Sequence, residues 1–272
     1  MRYCLIIFFS FFLLNGFGQD SVLSLKQTAV IPGDIRDFAT DNLGNIYLVM
    51  PSNQIKKINA KGDSLGVYND VKRYGNIYSV DVTNPLKILV YFKDFSTIVI
   101  LDRQLSVRNV IELQKQNILQ VRAIATSYDN NIWLYDELES KLKKIDDNGN
   151  VLMESTDFRQ VFDPIPAPST LFDRDGQLYM YDNNIGLLVF DYYGAKKNNL
   201  QLQNYYDLQV IDKNSITARD SSHIVLYKPS TFQLYSFIAF PDQQRFSKIS
   251  FNRSLVYCLT QEGDLEIYNT GK

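Results

Sequence analysis

The sequence has little of the chemistry on which disulfide-stapled domains and His-rich metal sites depend. It contains two cysteines, one histidine, one tryptophan and four methionines in 272 residues. Cys4 precedes an apolar run and Cys258 lies near the other end, so no disulfide framework can staple the chain, and stability has to come from burial. A large excess of charge of one sign is also missing. The 28 basic and 30 acidic side chains give a net −2, which leaves no electrostatic footprint for nucleic acid. The apolar run itself, Leu5 to Leu14, is about half the roughly twenty residues needed to cross a bilayer. No helical periodicity of useful length occurs elsewhere.

What is present begins with an address. Arg2 precedes the apolar run, and the small residues Gly16 and Gly18 follow it before Gln19-Asp20, the order of a secretory signal peptide. The expectation is a cleaved leader over 1–18 and one domain over 19–272, periplasmic or secreted, with no transmembrane segment in the mature chain. No cysteine stands at position 19 to take a lipid. Seventeen Phe and eighteen Tyr supply material for a sizeable core.

A repeat organises the rest. Short apolar strands recur roughly every 42 residues, starting at Ile46, Ile88, Ile132, Leu178, Ile216 and Val256. Each is followed by a second strand, near Gln54, Thr97, Lys141, Gly186, Ile224 and Asp264. Turns rich in Asn, Asp and Gly, such as Asp41-Asn42-Leu43-Gly44 and Asp173-Arg174-Asp175-Gly176, precede the first strand of each pair. Such residues tolerate positive φ or bond their own backbone, and so close hairpins. With a further strand on either side, each unit has four strands, and six units predict an all-β, six-bladed β-propeller. The sixth copy reaches Lys272 after only three strands, and Val22 to Val30 is a spare β-compatible segment. The ring is therefore expected to close through an N-terminal strand that covers an otherwise open edge.

The stretch Asp41-Asn42-Leu43-Gly44-Asn45-Ile46-Tyr47, followed by Gln54-Ile55-Lys56-Lys57-Ile58-Asn59, resembles the repeats of NHL-type six-bladed propellers. The resemblance spans 34–272 and is sharpest in copies one, three and four. It implies the architecture rather than an activity.

Connections between blades and loops between second and third strands share one propeller face. Large side chains that blade formation does not require gather there: Phe95, Tyr206 and Phe246 and, foremost, Lys72, Arg73, Tyr74, Tyr91, Phe92, Phe158, Arg159, Phe162, Tyr205 and Arg245. Aromatic residues and Arg anchor interfaces, so these are the candidate partner-binding residues; the same side chains also suit packing over the blade ends. The Pro-rich connection 157–168 has the same two readings. No catalytic residue is assigned, and neither a metal nor another cofactor is expected. His223 has no second His or accessible Cys to complete a zinc site, and Asp173 and Asp146 read as hairpin turns rather than calcium loops. The expected function is a non-catalytic, protein-binding or scaffold component of a cell-envelope assembly, whose partner is another protein or a peptide. Two alternatives stay open: a metal-dependent lactonase- or hydrolase-like propeller, for which the inner-strand acids are Asp37, Asp81 and Asp207, and a glycan-binding propeller, which needs a concave aromatic pocket.

Overall fold

A computed structural model describes residues 21–22, 24–69, 73–238, 240 and 242–270. The expected leader over 1–18 and the candidate Lys72 lie outside them. Six antiparallel sheets follow one another along the chain, with first strands Asp37–Thr40, Ser79–Asn84, Val121–Thr126, Thr170–Arg174, Tyr206–Asp212 and Phe246–Asn252. Each first strand neighbours the first strand of the next blade, and that of blade six neighbours that of blade one, so the first strands form the inner ring.

Closure follows the expected route. In blade six, Phe246–Asn252, Leu255–Thr260 and Leu265–Asn269 are contiguous in sequence, and Lys26–Ile31 supplies the fourth strand, pairing antiparallel with Leu265–Asn269. Just before it, Ser21–Val22 adds in parallel to Gln233–Ile238, the outer strand of blade five, making that sheet five-stranded. The N-terminal segment thus ties blade five to blade six as well as closing the ring.

The burial pattern accounts for the sequence pattern. Second strands such as Lys87–Phe92 (KILVYF) and third strands such as Thr97–Leu101 are buried at every position, because each blade is sandwiched between two others. Alternate residues then serve opposite sides. Ile88, Val90 and Phe92 enter the core between blades one and two, while Leu89 and Tyr91 enter the core between blades two and three. Six such inter-blade cores encircle the molecule. Outer strands are largely exposed, as in Ser64–Tyr68 and Val151–Glu154. Among the described residues no helix is long and apolar enough to cross a membrane.

Candidate functional site

The face that carries the blade-joining connections is built as a bonded rim. In every blade the loop between second and third strands is tied to the connection leading into the next blade. Asn53 Oδ1 accepts from the Ile77 amide at 3.1 Å, Ser96 Oγ donates to the Leu119 carbonyl at 3.0 Å, and the Phe158 amide donates to the Ser140 carbonyl at 2.8 Å. Gln203 Nε2 donates to the Asn184 carbonyl at 2.8 Å, Gln243 Nε2 to the Ser222 carbonyl at 2.9 Å, and the Ile35 amide to the Gly263 carbonyl at 3.0 Å. A left-handed residue near the end of the loop turns the backbone for this bond in five blades: Asn53, Ser96, Ser140, Gly186 and Gly263, with φ between 47° and 106°. Asn, Ser and Gly fill a position that most side chains resist.

Several sequence-derived candidates are not exposed on this rim. Tyr91 and Phe92 are fully buried, Phe158 is 1% exposed and Tyr74 is 8% exposed. They lie at the ends of blade cores, where one apolar ring covers the next. Phe158 stacks on Phe190 at 5.4 Å and contacts Tyr135 and Phe162, so the Pro-rich connection packs over the seam between blades three and four. Tyr74 lies against Phe92. The Tyr91 hydroxyl donates to the Val121 carbonyl at 2.8 Å, and burial pushes its pKa above the usual tyrosine value. Phe162 and Tyr205 are half-buried against the same cores. Arg73, Arg159 and Arg245 remain exposed. Arg159 pairs with Asp157 at 2.6 Å, and Arg245 with Glu266 at 2.6 Å.

The exposed positions are held by Phe95 and Tyr206, which the sequence singles out, and by Tyr78, Leu119, Leu138, Val161 and Ile165, all 46–61% exposed, whereas Phe246 is 1% exposed. Phe95 and Leu138 stand between polar neighbours, while the others adjoin a second apolar or aromatic residue, such as Ile77 or Phe162. Aliphatic loop residues of this kind were readable in the sequence, but the weight given there to Arg and aromatic anchors passed over them.

The acids of the inner ring are engaged in joining blades. Asp81 accepts from the Thr126 amide at 2.5 Å, Asp207 from the Ile249 amide at 2.8 Å and from Arg219, and Asp37 from Lys248 at 2.6 Å. Among the described residues no three His, Cys, Asp or Glu side chains gather as a metal-binding group. Among the described residues, cavities open on both faces. One, about 310 Å³, lies on the rim between blades five and six beside His223 and Gln243. Another, about 270 Å³, lies on the opposite face, among the turns of blades one to four.

These features define the class: a six-bladed β-propeller with four-stranded blades. No family model and no curated protein matches the chain. Solved propeller structures do, at identities that show the fold alone. A catalytically inactive variant of virginiamycin B lyase from Staphylococcus aureus, solved with quinupristin, is 10% identical with a TM-score of 0.63, over 90% of this chain and 98% of that one. The Pan2 WD40 domain of Neurospora crassa is 10% identical with a TM-score of 0.60, over 91% and 96%. A chain of a mitotic checkpoint complex is 9% identical with a TM-score of 0.58, over 88% and 78%.

Proposed function

We propose that this chain is an exported, non-catalytic propeller that docks another protein or an exposed peptide of a cell-envelope assembly on its rim face. The observation that carries the reading is the union of a hydrogen-bonded rim with seven large apolar side chains standing in solvent across blades two to five, from Tyr78 to Tyr206. A rim already fixed by its own bonds has little ordering left to lose on association. Apolar side chains flanked by Arg73, Arg159 and Arg245 suit the anchor-and-rim pattern of protein interfaces. The order of residues from Arg2 to Gly18 supports export, and the engagement of Asp37, Asp81 and Asp207 in joining blades supports a role without catalysis. The likeness to propellers found in protein assemblies agrees with a protein partner.

The test compares two quadruple variants in cells that make the protein. Replacing Tyr78, Phe95, Leu138 and Val161 by serine should abolish photo-crosslinking to an envelope protein. The same change at Leu43, Leu86, Tyr193 and Phe232, which stand exposed in turns of the opposite face, should leave it within a few-fold. The reverse pattern, or recovery of the chain from the cytoplasm with its first 18 residues intact, overturns the proposal.

A further inference from the structure

The cavity on the opposite face has a different chemistry. Its wall is mixed: Thr83, Asn84, Thr126, Asn130 and Asp173 supply polar groups, and Pro85 and the ring of Tyr128 supply apolar surface. Thr126 is 4% exposed, and its Oγ1 is buried with no hydrogen-bond partner, a state that native structures seldom leave unanswered. Asn84 Nδ2 donates to Asn130 Oδ1 at 2.8 Å. That bond uses one donor of one amide and one lone pair of the other, and so leaves further donor and acceptor capacity at the wall.

Tyr128 is 65% exposed yet held in place. Its ring stacks on Tyr192 with centroids 4.3 Å apart and planes within 19°, and the Lys144 ammonium lies 5.4 Å from its centroid. Its amide donates to Asp173 at 3.2 Å. A rigid aromatic face beside a polar cavity offers one apolar surface and several hydrogen bonds.

The acid of the wall and the lysines beside it are already engaged. Asp173 accepts from Ser127, Tyr128, Trp133 and Tyr192. Lys144 pairs with Asp129 at 3.0 Å, and Lys87 pairs with Asp147. Among the described residues the two arginines at the cavity edge, Arg174 and Arg253, have no acidic partner but donate to the Asp173 and Asn42 carbonyls, and no carboxylate of the wall is left open to a cation. A volume of about 270 Å³ lies just under the range of roughly 300–1,000 Å³ usual for drug-sized ligands, which suits one ring rather than an extended chain.

We infer that this cavity binds one residue of a neutral saccharide, with the C–H face of the sugar against Tyr128 and its hydroxyls bonded by Thr126, Asn84 and Asn130. The site is separate from the rim and stands independently of the docking proposal.

Trp133, the sole tryptophan, donates to Asp173 in the cavity wall and serves as the reporter. The purified chain is titrated with glucose, galactose, N-acetylglucosamine and cellobiose, and with glucuronate and inorganic phosphate as charged probes. A saturable change in Trp133 emission is expected with at least one neutral sugar and with neither charged probe. Thr126→Val, which removes only the unpartnered hydroxyl, should leave the melting temperature equal or higher while weakening that sugar about tenfold. Tyr128→Ala should weaken it at least as much, and Tyr193→Ala, at a surface tyrosine outside the cavity wall, should not. Silence with every neutral sugar, undiminished binding by both cavity variants, or a stronger response to glucuronate or phosphate overturns the inference.

Discussion

The Trp133 indole Nε1 donates to Asp173 Oδ2 at 3.0 Å, across the seam between blades three and four. The same carboxylate accepts from Ser127 Oγ at 3.1 Å, the Tyr128 amide at 3.2 Å and the Tyr192 hydroxyl at 3.0 Å. Lys144 lies 4.7 Å from the Trp133 ring. One turn aspartate therefore joins two blades, although its immediate sequence, Asp173-Arg174-Asp175-Gly176, reads only as a hairpin.

Asp173→Ala leaves the donors of Trp133, Ser127 and Tyr192 without their acceptor at a buried or half-buried seam. At about 1–3 kcal/mol for each orphaned group, the expected loss is about 3 kcal/mol or more. Asp173→Asn keeps an acceptor and should cost less. Urea unfolding followed by Trp133 emission checks both, and a loss below about 1 kcal/mol for the alanine variant contradicts this account of the seam.

Removing residues 21–31 deletes the fourth strand of blade six and the parallel addition to blade five. Most side chains of Lys26–Ile31 are exposed, so the loss is chiefly that of the backbone ladder and of the bond between chain ends. A fall of several kcal/mol, roughly 10 °C or more in melting midpoint, together with a broadened transition, is expected. A truncated chain that melts like the full one excludes this closure.

Gly186 has φ +106°, and a Cβ there would lie 2.5 Å from the Leu200 carbonyl oxygen. Gly44 also has positive φ, +85°, but a Cβ would meet nothing within 4 Å. Gly44→Ala should therefore cost only the left-handed backbone penalty of about 1 kcal/mol. Gly186→Ala must also displace backbone in the outer strand, and should cost at least about 2 kcal/mol more. Equal denaturation midpoints for the two variants contradict the close approach.

Burial pushes the Tyr135 and Tyr179 hydroxyls up to about 12, from the usual 10. An acid whose folded pKa is raised keeps its proton while the unfolded chain releases its own, so the stability it contributes is complete below pH 10 and is lost as pH rises towards 12. Denaturation midpoints should hold steady up to about pH 10 and then fall steeply, with tyrosinate absorbance lagging behind that of the urea-unfolded chain. Coincident titration in the folded and unfolded states would refute this.

The blades were legible in the sequence because each requires a local pattern. Fully apolar second strands such as Ile88–Phe92 and turns such as Asp41–Gly44 recur with the repeat. The N-terminal closure was legible from counting strands. The working surface was not. Tyr91, Phe92 and Phe158 read as interface anchors by residue type, yet they end blade cores. Leu119, Leu138 and Val161 read as ordinary loop residues, yet they stand in solvent.

The sequence by itself determined the number of blades, the order of strands within them and the segment that closes the ring. Periodicity and turn chemistry act over a few residues and do not depend on what lies across a seam. Tertiary structure alone decided which loop side chains turn inward, which carboxylate gathers Trp133 and Tyr192, and that Thr126 sits buried without a partner beside an exposed Tyr128. Those outcomes depend on contacts between residues about 20 to 45 positions apart, brought together by the rotation of one blade relative to the next, which residue type does not encode.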